Sequence, residues 1–276
     1  MFKWLEKEKL ADLHITEALF ECKREHLTIR GTEYRPQGEN LPIAIVSHGF
    51  MAFQDTVRQY AKALAQLGYV SYCFDFCGGS VMKGKSEGST TEMSVLTEAK
   101  DLEAVIAYAK NQPYADAKNI LLMGCSQGGF VSAIVASRLK EEISKLVLFY
   151  PALCIPDDAR AGQMMFAKFD PANVPDIVNC GPMKLGKVYV TDVIHMDPYE
   201  EIKGYSGNVL IVHGTEDKIV QLSYSEKAYE TYKAGDVEGT PERVVFKVIE
   251  GGGHGFSKKH DAIAIDMLKQ FAKKEK

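Results

Sequence analysis

A serine flanked by glycines is the residue of this sequence with the clearest chemical potential. Gly124, Ser126 and Gly128 form a Gly-x-Ser-x-Gly motif. The motif follows the apolar, strand-like run 119–122 and precedes the helix-like run 130–136. A serine on a sharp turn between a strand and a helix is held in a strained backbone conformation that exposes its hydroxyl, and the glycines allow neighbouring backbones to approach closely. The motif therefore predicts that Ser126 is a nucleophile.

A serine hydroxyl is a weak nucleophile by itself, so the chain must also supply a base and a group that orients the base. Two further strand-like segments, 208–213 and 243–249, are followed by Asp217 and His254, respectively. An alternative interpretation makes Ser126 an ordinary helix N-cap, a position that serine favours. Because all three side chains come just after predicted strands, we favour a triad of Ser126, His254 and Asp217.

Two backbone amides are candidates for an oxyanion hole. The amide of Gln127, at the start of the predicted helix, points in the same direction as the Ser126 hydroxyl and can donate to a tetrahedral oxyanion. An earlier strand, 42–46, runs into a loop that contains Phe50. The amide of Phe50 is the second predicted donor.

His254 is preferred as the base over the other histidines near predicted strand ends and in loops. His48 and His213 each precede a glycine at the end of a strand and are predicted to be structural. His260 lies on the last predicted helix, and His195 also fits the role less well.

Taken together, these motifs resemble those of α/β-hydrolases of the serine esterase type, and within that group those of bacterial cinnamoyl (feruloyl) esterases. The order Ser, Asp, His along the chain is the α/β-hydrolase order. The resemblance extends from about Thr28 onward and is carried by His48-Gly49-Phe50, Phe74-Asp75-Phe76, Ser126-Gln127-Gly128-Gly129, His213-Gly214-Thr215-Glu216-Asp217 and Gly253-His254. It implies hydrolysis of carboxylic esters through an acyl-enzyme, with no cofactor.

Asp217 is preferred as the acid because it follows its strand by the short spacing seen in these enzymes. Glu216 is adjacent to it, and Asp192 and Asp197 lie earlier, so each is an alternative. Aspartate also commonly stabilises turns, which is the structural interpretation of Asp217. Asp75 precedes the serine, and the corresponding position in similar enzymes is structural.

The segments that must position these residues alternate between strand-like and helix-like patterns. A hairpin is predicted over 14–22 and 25–30. Further strands are predicted at 42–47, 69–75, 119–124, 144–149, 208–213 and 243–249, and helices at 54–67, 92–111, 127–140, 222–235 and 257–273. This alternation predicts an α/β fold with a mostly parallel central sheet and helices on both faces.

One long segment, from Pro151 to Gly207, breaks the alternation. It contains six prolines and loosely spaced methionine and aromatic residues, and it is too long for a simple connection. Similar esterases carry a small cap at this point. We therefore predict an inserted cap or lid over 152–204 and a hydrolase core formed by 1–151 and 205–276. The alternative is a packed side lobe that does not contact substrate.

The resemblance also suggests substrate contacts. In cinnamoyl esterases, a cap aspartate and a nearby glutamine hold the ring hydroxyl of the acyl group. Alignment from Pro151 places Asp158 on the aspartate and Met165 near the glutamine position, with Gln163 the closest glutamine. Asp158 and Met165 are the predicted substrate-binding residues. The pocket is expected to be apolar, lined partly by Met164, Met165, Phe166 and Phe169, and to accept short-acyl or hydroxycinnamoyl esters.

Composition limits the class of protein. The chain has 276 residues, enough for one sizeable core, and its net charge of −4 gives no nucleic-acid footprint. Its six cysteines show no metal-binding spacing, which favours free thiols and no bound metal. The first eight residues lack an apolar signal core and no stretch is long enough to span a membrane, so a cytoplasmic location without a membrane partner is expected. A homodimer is left open.

Two other functional classes remain open. A peptidase or amidase of the prolyl oligopeptidase group shares the triad, although it usually carries a large extra domain that this chain lacks. A non-catalytic ligand-binding protein on the same fold is the second alternative, which an intact triad disfavours.

Overall fold

A computed structural model describes residues 14–81, 84–235 and 242–273. The N-terminal stretch considered for a signal lies outside this part of the chain. The strands are β1 (Ile15–Arg24), β2 (Leu27–Pro36), β3 (Leu41–Ser47), β4 (Val70–Phe74), β5 (Ala115–Cys125), β6 (Ile143–Phe149), β7 (Gln163–Met164), β8 (Ala167–Lys168), β9 (Ile177–Cys180), β10 (Met183–Gly186), β11 (Asn208–Gly214) and β12 (Val244–Ile249). The helices are α1 (Arg58–Ala65), α2 (Val95–Lys110), α3 (Gln127–Arg138), α4 (Ile155–Arg160), α5 (Val188–Thr191), α6 (Pro198–Ile202), α7 (Leu222–Lys233) and α8 (Lys258–Lys273).

The central sheet of the described chain has eight strands in the order β1-β2-β4-β3-β5-β6-β11-β12. Every pair from β4 to β12 is parallel, whereas β2 is antiparallel to both β1 and β4. This confirms the predicted mostly parallel α/β fold. Because the carboxyl ends of parallel strands meet at one edge, the loops after β3, β5, β11 and β12 are brought together there.

Helices cover both faces of the sheet, as predicted. On the central strands, alternate side chains face two separate buried clusters. One cluster joins the sheet to α2, α3 and α7, and the other joins it to α1 and α8. On β5, Ile120, Leu121, Leu122 and Met123 are completely buried, as expected for a strand covered on both sides. Burying each such side chain contributes about 1.5–3 kcal/mol.

The main departures from the predicted bounds have local causes. The helix predicted at 54–67 is a 3₁₀ turn at Gln54–Thr56 followed by α1, because Gln54 N donates to Asp75 Oδ1 at 2.7 Å and Val57 adopts a non-helical φ of −124°. The helix predicted from residue 92 begins at Val95, since Ser94 and Thr97 form a capping box there.

The segment between β6 and β11 folds into short elements: α4, the hairpins β7–β8 and β9–β10, α5 and α6. Met164, Val178 and Leu185 are buried in the same cluster as α2 and α3, so this segment packs on the core. Ser94 Oγ also donates to Asp192 Oδ2 at 2.5 Å. Apolar packing and a side-chain hydrogen bond therefore hold this segment against the core.

The structure also bears on the state of the cysteines, on membrane-spanning helices and on metal-binding clusters. All six cysteines lie in the described residues as free thiols; five are buried and Cys22 is partly exposed. None of the described helices combines the length and the apolar character needed to cross a membrane. Within the same residues, no group of three or more His, Cys, Asp or Glu side chains is arranged to hold a metal ion.

Candidate active site

Ser126 lies at the junction of β5 and α3 in a strained backbone conformation, with φ 55° and ψ −121°. Such a conformation in a non-glycine residue costs on the order of 1–3 kcal/mol and persists only when its surroundings hold it. Ser126 N donates to Phe149 O, and Ser126 O accepts from Ala152 N, both at 2.9 Å. A Cβ atom on Gly128 would lie 2.2 Å from His48 O, so only glycine fits this close approach.

The structure brings the three predicted triad residues together. His254 Nε2 lies 3.0 Å from Ser126 Oγ, and His254 Nδ1 lies 2.8 Å from Asp217 Oδ2. Each side chain comes from a different loop at the carboxyl edge of the sheet. The two nitrogens of one imidazole therefore join a hydroxyl to a carboxylate, the geometry that a serine nucleophile needs for activation.

The Asp217 side chain is almost inaccessible to solvent and receives several hydrogen bonds. Its Oδ1 accepts from the backbone amides of Ile219 and Val220, each at 2.9 Å. Its Oδ2 lies 3.1 Å from His213 Nε2 and 2.8 Å from His254 Nδ1. Burial alone raises the pKa of Asp217, but the bonds from His213, His254 and Val220 outweigh it and hold the pKa well below its usual range. Asp217 is therefore a carboxylate at neutral pH.

The alternative acids lie elsewhere. Glu216 is exposed. Asp197 caps α6 by accepting from Tyr199 N at 2.9 Å, and Asp192 accepts from Ser94. Asp75 is completely buried and bonds to Gln54 rather than to His254.

Of the other histidines, His48 has the structural surroundings that the sequence predicted. Its Nε2 accepts from Phe76 N at 3.1 Å, and its Nδ1 lies 2.8 Å from Gly49 O. His213, also expected to be structural, is in fact in contact with Asp217. The sequence signal for this contact is the spacing of four residues between His213 and Asp217 across the end of β11.

The two predicted oxyanion donors lie beside Ser126. A Cβ atom on Gly49 would be 3.1 Å from Ser126 Cβ and 3.6 Å from its Oγ, so the loop that contains Phe50 passes directly over the hydroxyl. Gln127 begins α3. Among the described residues, no protein acceptor is bonded to the backbone N–H of Phe50 or of Gln127. Both amides are thus available to an oxygen at this position.

The Gln127 side chain belongs to a buried polar chain that the sequence did not reveal. Its Nε2 donates to Glu98 Oε2 at 2.8 Å, and its Oε1 accepts from the Tyr189 hydroxyl. Burial raises the pKa of Glu98 well above its usual range, outweighing the bond from Gln127, with Asp101 adding to the rise. The chain connects α2, α3 and α5, and thereby the residue after Ser126 to the segment inserted after β6.

An aromatic side chain lies beside the imidazole. The rings of Tyr150 and His254 are 4.8 Å apart between centroids, and Phe256 packs edge-on against Tyr150 at the same distance. These contacts cover one side of His254 with apolar surface. They restrict the positions that the imidazole can take between Ser126 and Asp217.

A cavity of about 510 Å³ opens above Ser126. Its walls include Phe50 and Ile219 from the core, and Asp158, Gln163, Met164, Met165, Phe166 and Tyr189 from the inserted segment. The predicted Asp158 and Met165 thus both line it. Burial raises the pKa of Asp158, outweighing its bond to Cys154.

The prediction that Phe169 lines this cavity is wrong. Phe169 is not among the residues around this cavity and packs against the core instead. The hairpin β7–β8 turns at Met165 and Phe166, which places these two at the cavity, whereas Phe169 N is tied back to Gly162 O at 2.9 Å. Phe166 is 68% exposed, so it lies at the rim.

Comparison with known proteins identifies the family of this chain and supports its fold. The model of the family described as serine aminopeptidase, S33, matches residues 38–201, more than half of the chain. The structure of Est1E from Butyrivibrio proteoclasticus with ferulic acid bound is 25% identical, with a TM-score of 0.82 over 91% of this chain and 97% of that one. An esterase from Pyrococcus furiosus, PF2001, is 18% identical and shares the fold, with a TM-score of 0.66 over 96% and 92% of the two chains. No curated protein matches the sequence significantly.

The buried carboxyl of Glu98 gives a prediction about stability. Because the folded protein binds the Glu98 proton more tightly than the unfolded chain, the free energy of unfolding falls as pH rises from the ordinary carboxyl pKa through the raised one. Glu98→Gln keeps an acceptor for Gln127 Nε2 and cannot ionise. The Tm of E98Q relative to wild type should therefore increase as pH rises above the ordinary carboxyl range, as measured by calorimetry.

The matched control is Glu103→Gln, on the same helix at a position where the side chain is 35% exposed and faces Arg138. Its Tm difference from wild type should not grow with pH in this way. A constant E98Q difference across the range would show that Glu98 does not hold its proton in the folded state.

Proposed function

Since the chain belongs to the serine aminopeptidase S33 family of α/β hydrolases, we propose that it is a serine carboxylesterase that cleaves short-acyl or hydroxycinnamoyl esters through an acyl-enzyme. The observation that carries the proposal is the unbroken line of hydrogen bonds from Ser126 through His254 to Asp217 at the floor of a cavity. Resemblance to a ferulate-binding esterase supports the choice of esters.

The proposed mechanism follows from the distances. Ser126 Oγ attacks the ester carbonyl carbon as His254 Nε2, 3.0 Å away, takes its proton. Asp217, ionised and bonded to Nδ1, keeps the imidazole in the productive tautomer and stabilises the imidazolium. The amides of Phe50 and Gln127 stabilise the oxyanion, usually the largest single contribution to such catalysis.

The second half of the reaction uses the same groups. The tetrahedral intermediate collapses, the bond to the leaving alcohol breaks, and His254 returns the proton to the alcohol oxygen. A water molecule then attacks the acyl-enzyme with His254 as base, which releases the acid and restores Ser126. Apart from that water, each step uses only side chains and amides of this site, so the proposed mechanism needs no cofactor.

The proposal assigns residues 152–204 to a cap over the core. Its support is that α4, the hairpin β7–β8 and α5 all contribute residues to the cavity above Ser126. Buried methionine and aromatic side chains favour an apolar acyl group, at about 0.8 kcal/mol for each buried methylene. Asp158 is the acidic side chain of this segment that lines the cavity, and we assign it to a polar group on the acyl part.

A peptidase is the second candidate, because the matching family is described as a serine aminopeptidase. In that case the Asp158 carboxylate would bind the ammonium of an amino-terminal residue. Comparing aminoacyl p-nitroanilides with the corresponding p-nitrophenyl esters separates the two. A larger rate enhancement over the uncatalysed reaction for the amides than for the esters would favour the peptidase.

Ser126→Ala tests the nucleophile. Hydrolysis of p-nitrophenyl acetate and butyrate should fall by about ten-thousand-fold or more in kcat, as for triad serines elsewhere. The Tm should change little because one oxygen is removed at the cavity surface. Wild-type turnover by the variant would place the nucleophile elsewhere, and an inactive wild type would favour a ligand-binding protein.

Asp217→Asn tests the acid. An amide in place of the carboxylate favours the wrong imidazole tautomer, so kcat should drop by about a thousand-fold or more. The controls are Glu216→Gln, exposed beside it, and Asp197→Asn, at the start of α6; both should have mild effects. If Asp197→Asn were the severe variant, the acid would come from the inserted segment instead.

Asp158→Ala tests acyl recognition. If Asp158 bonds to a ring hydroxyl, the variant should lose about tenfold or more in kcat/KM on methyl ferulate or coumarate while butyrate esters change little, because a buried polar partner is left unpaired. Asp157→Ala is the control, since Asp157 points to Arg160 and Tyr224 rather than into the cavity. Equal losses on both substrates would leave a general short-acyl carboxylesterase.

A further inference from the structure

We propose that His213 and Ser225 are positioning residues that hold Asp217 in the orientation that receives His254. This rests on the proposed function, in which Asp217 is the acid of the triad. The three side chains and His254 form one continuous chain of polar contacts that begins in α7 and ends at Ser126.

The contacts assign the tautomer of His213. Its Nε2 lies 3.1 Å from Asp217 Oδ2 and 3.0 Å from Val220 O, and both of these oxygens only accept hydrogen bonds. Nε2 therefore carries a proton. Nδ1 lies 2.7 Å from Ser225 Oγ and accepts from that hydroxyl when the ring is neutral. His213 and Ser225 are both completely buried, so water cannot replace either partner.

His213 acts on the carboxylate and on the turn that carries it. Asp217 Oδ1 is held by the amides of Ile219 and Val220, within the same turn. The single Nε2–H of His213 donates to the carbonyl of Val220 and also lies 3.1 Å from Oδ2, so it connects the turn to the end of β11. Without it, Oδ2 has His254 as its remaining side-chain partner, and His254 must itself move its proton during the reaction.

The contact between His213 and Asp217 also affects the negative charge that lies opposite His254. The titratable groups near the Asp217 carboxylate are His213, His254 and, at longer range, the buried thiol of Cys154. The bond from His213 withdraws part of the negative charge from Oδ2. Removing this donor leaves the carboxylate with one partner fewer opposite the imidazolium that forms during the reaction.

The test compares four variants of the full chain. His213→Leu removes both polar contacts, and His213→Gln keeps a donor at the Nε2 position while losing the acceptor for Ser225. Ser225→Ala removes the hydroxyl partner alone. Its matched control is Ser71→Ala, because Ser71 is also completely buried and also loses a single bond, to Ala61 O, on a strand far from the site. Circular dichroism establishes which variants fold.

For H213L, kcat for p-nitrophenyl butyrate should fall by about 10- to 100-fold, the loss expected for one hydrogen bond to a charged group. KM should change little, since His213 does not line the cavity. H213Q should recover most of the lost turnover, S225A should lose a few-fold, and S71A should match wild type.

A double variant distinguishes positioning from general destabilisation. In the Asp217→Asn background, His213→Leu should produce almost no further loss of kcat, because the group that it positions is already disabled. Additive losses would show that His213 acts only through overall stability. Wild-type kcat in both H213L and S225A would overturn the proposal, while loss of activity in S126A would leave the proposed function intact.

A measurement that needs no turnover separates the two proposals. The proton between His254 Nδ1 and Asp217 should give a low-field proton NMR resonance. This resonance should move in H213L and S225A but not in S71A. If the wild type hydrolyses no ester yet the resonance moves, the positioning role stands and the proposed function fails. If the resonance is unchanged in H213L and S225A, the positioning role fails.

Discussion

The strained backbone of Ser126 is the constraint on which the site depends. A positive φ at a serine persists here because β5 enters from the buried centre of the sheet, α3 begins at the next residue, and neighbouring backbones close around the turn. The close approach of Gly128 to His48 O joins this turn to the loop after β3. The same packing that maintains the strain therefore brings the Phe50 amide to the hydroxyl. The proposed nucleophile and the proposed oxyanion donors are therefore one packed unit.

Two buried carboxyl groups flank this unit, and their surroundings give them opposite charge states. Asp217 accepts bonds from two imidazoles and two amides, which stabilise its ionised form. Glu98 is buried with a single amide donor, Gln127 Nε2, so burial dominates, raises its pKa and favours the protonated carboxyl. The first provides a permanent negative charge opposite His254. The second, in its protonated form, carries no charge beside the residue that follows Ser126.

The inserted segment shares its core with the sheet while it encloses the cavity. Its buried residues continue the cluster around α2 and α3, and the Tyr189 hydroxyl reaches Gln127 directly. In contrast, the tip of the hairpin β7–β8 leaves Met165 and Phe166 substantially exposed at the cavity rim. The segment is packed on the core and has an exposed apolar rim at the cavity. These two features are the physical basis for proposing that it selects the acyl group, whereas the proposed triad carries out the reaction.

The sequence by itself determined the α/β fold, the order of its elements and the placement of Ser126, Asp217 and His254 after strands. These are local properties: apolar runs, glycines at turns and short spacings, and parallel strands necessarily bring their carboxyl ends to one edge. Only the tertiary structure decided that His213 contacts Asp217, that Glu98 lies behind Gln127, and that Phe169 turns away from the cavity. Such contacts join residues on different elements, and the direction of a side chain depends on packing that no local pattern encodes.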